Sequence, residues 1–389
     1  MNDSTHSEHN TSDTRVTENL VQDSAERLFA QAVDKGLRER AEAGELDATL
    51  WQRVSDSGLP MLLASETHGG FGQSWAVAYP VLRGLGYWQV PLPLAETMLA
   101  QCLASMAGLP VPEGPLTVIE QGCGNDIQLD AGGQTMSGTA CAVPWARHAK
   151  VALLSLADGS VTTLALQGAP GLVLQPHNNA AGLPSDTLVL RGAAITAPRA
   201  NGLALRQPVW TLGAMVRSAM LVGALESALE QAARYANERV QFGKPIGRNQ
   251  AIQQNLALVA GDVAAARMAA MVAASDAPDS VSTATSATSA TSATSATSAT
   301  SATHFSAAVA KVRAGEAATR AAGIVHQVHG AIGFTREHAL HFATRRLWAW
   351  REEFGSDAHW AGELGRAAIA ARAVGFWPGI TAKHFTAAG

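Results

Sequence analysis

The sequence predicts an α+β protein that is mostly α, with an N-terminal helical domain, a small central β domain and a C-terminal four-helix bundle. Three observations carry this. The chain has 389 residues, more than one ordinary core encloses, so two or three domains are expected. Between Pro110 and about Pro198 the texture turns to short apolar runs split by Gly, Asp and Pro, the pattern of a β domain. Beyond Gln207, Leu212, Val216, Ala219, Val222, Leu225, Leu229, Ala232 and Tyr235 keep a 3- to 4-residue spacing over some thirty residues, the stripe of a bundle helix.

Composition narrows the function classes. Apolar residues make up 47% and charged ones 15%, which describes a well-packed protein with large internal interfaces. A net charge of -4 offers no basic excess for nucleic acid. Cys102, Cys123 and Cys141 form no CxxC pair and an odd set, so they read as reduced thiols in a cytoplasmic protein, with no metal site. No run of about 18 uninterrupted apolar residues occurs, and no membrane span is expected.

Residues 1–20 are rich in Ser, Thr, Asn and Asp and read as a disordered tail. The helical domain follows over 21–110, with helices through Ala76–Leu85 and Ala95–Met106 and an interhelix turn at Gly69-Gly70-Phe71-Gly72. In the β domain (111–200), strands are expected at Leu116–Ile119, Val151–Leu156, Val161–Leu166 and Thr187–Leu190, with a hairpin at Asp158-Gly159. The bundle (201–389) continues from the striped helix into Gln250–Ala274 and Ala307–Val328. Residues 283–303 are a near-perfect Thr-Ser-Ala triplet repeat. A period of three fits neither helix nor strand, so 276–304 reads as a flexible loop.

Two segments carry chemistry. Arg239-Val240-Gln241-Phe242-Gly243-Lys244-Pro245-Ile246 closes the striped helix, and Gln250 and Ile252 open the next. A guanidinium suits a pyrophosphate and a phenyl face suits a purine. His326-Gln327-Val328-His329-Gly330-Ala331-Ile332-Gly333-Phe334 closes the later helix in a glycine-spaced turn, where a ligand approaches backbone with no Cβ between. Each read alone is equally a helix ending.

Together the two segments resemble the acyl-CoA dehydrogenase flavoproteins, and the resemblance runs from about Val21 to Gly365. It implies FAD bound across a subunit interface. Arg239, Gln241, Phe242, Ile246 and Ile252 would come from one polypeptide, and Gln327, Gly330 and Ala331 from its mate, with Ser356 as a further cofactor contact. It implies dehydrogenation of an acyl-CoA thioester to the 2,3-enoyl-CoA, with electrons passing to an electron-transfer flavoprotein, in a homodimer or tetramer. The family's Thr-Glu-Pro-Gly-Ala-Gly-Ser-like loop against the flavin finds no counterpart in this reading. The α-proton is removed by a glutamate in a Tyr-Glu-Gly-Thr segment. Here Phe354 takes that place before Gly355-Ser356, and Glu353 and Glu352 fall one and two residues short. The family's other base position falls at about Gly213, also without a carboxylate. Three readings stand: Glu353 as a shifted base, a non-catalytic or flavin-holding subunit beside a paralogous chain that supplies the glutamate, or monooxygenase-like flavin chemistry.

Overall fold

The structure, a computed structural model, describes residues 4–110, 112–197, 200, 203–278 and 290–385. Five helices open the chain: α1 (Ser4–Ala32), α2 (Lys35–Glu42), α3 (Ala48–Asp56), α4 (Trp75–Tyr87) and α5 (Leu94–Met106). Asp34, Asp47 and Ser74 cap α2, α3 and α4, each side chain accepting the amide three residues on. Those caps satisfy donors that a helix start otherwise leaves unpaired. The expected disordered tail over 1–20 is corrected from Ser4 onward, because α1 already runs there. Ala25 and Phe29 bury on α4's side and anchor the helix there. Once a nucleus exists, extension through polar residues costs little.

The β domain holds seven strands: β1 (Leu116–Glu120), β2 (Asp126–Leu129), β3 (Thr135–Pro144), β4 (Val151–Ser155), β5 (Val161–Ala165), β6 (Leu172–Gln175) and β7 (Ser185–Ala194). They form a sheet of order β1-β4-β5, with β1 and β4 parallel, and an antiparallel sheet of order β2-β3-β7-β6. Ile119, Ile127, Met136, Leu154, Leu164, Leu188 and Leu190 fill a common core. The four expected strands and the Asp158-Gly159 hairpin are present. The sequence reading missed β2 and β3, whose outward positions are small or polar and dilute the apolar signal, and β6, which is only four residues long.

The bundle comprises α6 (Pro208–Glu238), a small hairpin of β8 (Val240–Gln241) and β9 (Lys244–Pro245), α7 (Gln250–Asp276), α8 (Ala290–His329), α9 (Leu340–Glu352) and α10 (Asp357–Thr381). Helix α6 is the central rod, packed by α4 of the first domain and by α7, α8 and α9. By length and composition α6 and α7 are both apolar enough to cross a membrane. Most of α6 is buried inside the protein, whereas α7 leaves Leu258, Met268, Met271 and Val272 exposed.

The triplet repeat departs from expectation. Residues 279–289 lie outside the described residues, but from Ala290 the chain is already α8, so the loop reading is corrected over 290–304. A triplet period builds no packed face, yet a helix needs only its backbone bonds. Alanine at every third position lets one propagate from the packed stretch after it. Thr303 donates to the Asp276 carbonyl at 2.6 Å and Ser306 to the Asp276 carboxylate at 2.6 Å. The two ends of the excursion therefore touch, and closing a shorter loop costs less entropy. Deleting residues 282–299 is expected to leave the melting temperature within a few degrees of the parent, or to raise it, in a thermal unfolding scan.

Candidate active site and nucleotide cleft

Helices α6 and α8 run side by side and end together, so the two segments picked from sequence meet. Ala228, Ala232 and Ala236 of α6 pack against Val325 and Val328 of α8 and Leu340 and Ala343 of α9. Just beyond this seam opens a cleft of about 380 Å³, within the usual range for small-molecule sites. Arg239, Gln241, Phe242, Ile246, Ile252, Gln327, Gly330 and Ala331 all line it. Both segments belong to one chain. The expectation that the Gly330 loop reaches in from a mate is corrected: the packing of α6 on α8 within the protomer already assembles the clamp.

The cleft fits a nucleotide on its own geometry. The Arg239 guanidinium has no partner among the described residues. Phe242 is 99% exposed at a φ of 49°, which aims its ring outward from the tight β8–β9 turn. A Cβ built on Gly243 (φ 75°) or Gly330 (φ 63°) would meet nothing within 4 Å, so the space beside both glycines is open. A free cation, a bare ring face and two open backbone turns are what an adenosine diphosphate group needs. Sequence reasoning missed Tyr235, Lys244, Asn249 and His329, which also line the cleft. The spacing of Tyr235 and Arg239, four apart on one helical face, was the available signal.

A second, central cleft of about 650 Å³ lies between the β domain and the bundle. The turn after β1 borders it through Glu120, Cys123, Gly124 and Asn125, and Trp210, Trp348, Glu353 and Phe354 border it opposite. This corrects the view that the Thr-Glu-Pro-Gly-Ala-Gly-Ser-like loop is missing. Glu120-Gln121-Gly122-Cys123-Gly124-Asn125 repeats its Glu and both Gly at the same spacing, with Gln, Cys and Asn masking the likeness. Ser356 lines neither cleft. Its hydroxyl caps α10, accepting the His359 amide at 3.2 Å, and the cofactor role expected for it is corrected to a helix cap.

The two base positions named from sequence converge. A Cβ placed on Gly213 would lie 2.5 Å from the Phe354 ring, so Gly213 is bare because that ring occupies the space. Phe354 sits at a φ of 55°, edge-on to Trp210 (6.3 Å between centroids), with the Arg217 guanidinium 5.3 Å from its centre. An apolar plug therefore stands where either carboxylate would stand.

Glu353 does not replace it. One oxygen accepts from Arg217 at 2.6 Å and the other from the Asn179 amide at 2.8 Å, and its side chain is 10% exposed. The same guanidinium, 2% exposed, pairs with Glu96 of α5. Burial disfavours the Arg217 charge, but Glu96 and Glu353 more than offset it and hold the group firmly protonated. The Lys311 ammonium donates to the carbonyls of Trp350 (2.9 Å), Arg351 (3.1 Å) and Glu353 (2.5 Å), tying off the end of α9. Burial pushes its pKa down to about 7 against the pull of Glu353. Glu353 is committed to two hydrogen-bonded partners. The expected catalytic role is corrected to a structural one.

The profile of the acyl-CoA dehydrogenase C-terminal domain matches residues 201–369, the stretch that builds the nucleotide cleft. Acyl-CoA dehydrogenase FadE27 of Mycobacterium tuberculosis is 28% identical over 316 residues, covering 76% of this chain and 81% of that protein. Residues 201–369 are an acyl-CoA dehydrogenase C-terminal domain, and the chain is similar to acyl-CoA dehydrogenases over most of its length. Acyl-CoA dehydrogenases are flavoprotein oxidoreductases. Among solved structures, the ChsE4-ChsE5 complex from Mycobacterium tuberculosis superposes with a TM-score of 0.74 at 23% identity, over 91% of this chain and 97% of that one. The FAD complex of PigA gives 0.69 at 17% identity, over 90% and 96%. At those identities the likeness is one of fold.

Three outcomes follow from this geometry. Gly213→Ala is expected to cost about 1–3 kcal/mol by overpacking, and Phe354→Leu in the same chain to recover most of it, in a denaturant double-mutant cycle. Arg217→Met, which leaves two buried carboxylates facing each other, is expected to cost about 3–5 kcal/mol in the same assay. Glu120, the last residue of β1, is buried and accepts the Trp210 amide at 3.1 Å. Burial raises its pKa from 4.5 to about 7, with the Trp210 amide opposing. The folded state thus holds the proton more tightly, and stability falls as pH rises from 4.5 to about 7. Glu120→Gln is therefore expected to gain on the parent as pH rises through that window, and to match it below.

Proposed function

We propose that this chain is a flavin-holding subunit of a heteromeric, FAD-dependent acyl-CoA dehydrogenase. The assembly converts an acyl-CoA thioester to the 2,3-enoyl-CoA, and a paralogous chain supplies the carboxylate that removes the α-proton. Electrons then pass to an electron-transfer flavoprotein. The observation that carries this reading is the Phe354–Gly213 contact, an apolar plug at both places where the family keeps its base. The nucleotide clamp supports it from the other side, since an idle relic has no reason to keep Arg239, Phe242, Gln327 and Gly330 around one open cleft.

Arg239, Phe242 and the Gly330 loop would hold the adenosine diphosphate end of FAD, and the flavin ring supplies the two-electron chemistry when bound. This chain's residues bind and orient; proton removal belongs to the partner. The ChsE4-ChsE5 complex, named for two different chains and holding one on this fold, supports such an arrangement. So does the outer face of α7, which leaves Leu258, Met268, Met271 and Val272 exposed.

Co-expression of this chain with a paralogue carrying the glutamate tests the reading. The expected result is a yellow complex that dehydrogenates acyl-CoA. Its activity should fall at least about a hundredfold when the paralogue's glutamate becomes glutamine, and change little in turnover with Glu353→Gln here. A homomer of this chain that turns over, and loses that turnover with Glu353→Gln, would refute it.

A further inference from the structure

The nucleotide cleft has a floor that the clamp residues do not explain. Tyr235 stands one turn before Arg239 on α6 and lines the same cleft. Its ring lies on the imidazole of His329, 4.6 Å between centroids and 23° between planes, and meets His338 edge-on at 6.1 Å. His329 in turn meets His338 at 4.6 Å. His329 is itself fixed: its Nδ1 donates to the Val325 carbonyl at 2.7 Å, and the side chain is buried. Gly333 presses on it, since a Cβ there would come within 2.8 Å of the His329 Cβ. Two imidazoles, one at the end of α8 and one just before α9, thus hold the phenol of α6 in place. That phenol's hydroxyl has no partner among the described residues.

Tyr235 is half-buried in the cleft wall, so its hydroxyl is left to water until a ligand comes. Around it the cleft presents cations, Arg239 and Lys244, and open backbone at Gly330 and Gly243. The complement of that set is an oxygen-rich anion. We propose that Tyr235 is a further nucleotide contact of this chain, its hydroxyl donating to a phosphate or ribose oxygen of a bound adenine nucleotide, and that His329 is the positioning residue that aims it. This deepens the flavin-holding reading and rests on it. A ring that is already immobile loses little entropy on binding, so one hydrogen bond to a charged oxygen shows nearly its full effect.

The test uses the full-length chain and calorimetric titration with ADP and with adenosine. Tyr235→Phe, which keeps the stack and removes only the hydroxyl, is expected to weaken ADP binding about tenfold, the scale of one hydrogen bond to a charged group. Loss for ADP but not for adenosine assigns the contact to a phosphate; equal loss for both assigns it to the ribose, and either supports the proposal. His329→Ala is expected to weaken ADP several-fold by freeing the phenol, and His329→Phe, which restores a stacked ring, to recover most of that loss. In the Tyr235→Phe background both His329 substitutions are expected to have little further effect, which a merely structural role for His329 would not produce. Arg239→Ala separates the two levels. If it abolishes ADP binding while Tyr235→Phe binds as tightly as the parent, the role of Tyr235 is refuted and the clamp survives. If Arg239→Ala binds ADP as the parent does, the flavin-holding reading falls and this inference with it.

Discussion

One guanidinium holds the three parts of this protein to one another. Arg217, from the central helix α6, binds Glu96 of the N-terminal domain and Glu353 at the end of α9, and Glu353 in turn takes the amide of Asn179 from the β domain. A fully buried arginine between two carboxylates is stable only because each charge is answered, and removing any member strands the rest. Everything downstream of α9 depends on that knot. It fixes where Glu353 points, and Lys311 fixes the carbonyls around it. The next residue, Phe354, has then to turn through a left-handed conformation into the space beside Gly213.

The catalytic question follows from that geometry rather than from sequence counting alone. A carboxylate one position from the family's base looks like an easy substitute on paper. In space, adjacent residues at a helix end point in different directions, so a one-residue shift changes which partners a side chain meets. Glu353 borders the cleft with its carboxylate tied to Arg217 and Asn179, and a phenyl ring took the place of the base. The nucleotide cleft lies at the far ends of α6 and α8, built by a separate apolar seam, and nothing in the knot disturbs it. Losing the base and keeping the clamp are therefore independent, which is what a subunit with a divided role requires.

Much of the fold was legible because periodicity and punctuation are local. The stripe from Leu212 to Tyr235, the Asp158-Gly159 turn and the helices at Ala76 and Ala95 stand where their patterns placed them. The clamp residues were legible for the same reason, each sitting in a short motif. What failed was relational. No pattern in Gln327–Gly330 says which chain it faces, and the α6–α8 packing that decides this is a tertiary fact. Ser356 read as a ligand contact because a hydroxyl beside Gly355 suits either role, and only the His359 amide distinguishes them. The triplet repeat read as a loop because no packed face was visible, although backbone hydrogen bonds alone carry a helix onward from a stable one. Strands β2 and β3 hid because their outward residues are small or polar, β6 because it is only four residues long, and the cleft-lining turn after Glu120 hid behind three substitutions.

The account stands or falls on a division of labour between chains, and an experimental structure of the FAD-loaded assembly tests it most directly. The prediction is density for an adenosine diphosphate group between Arg239, Phe242 and Gly330 of this chain, with the flavin ring beside a carboxylate that another chain provides. A flavin ring seated in this chain's own central cleft, with the Glu353 carboxylate released from Arg217 and turned toward it, would contradict the account.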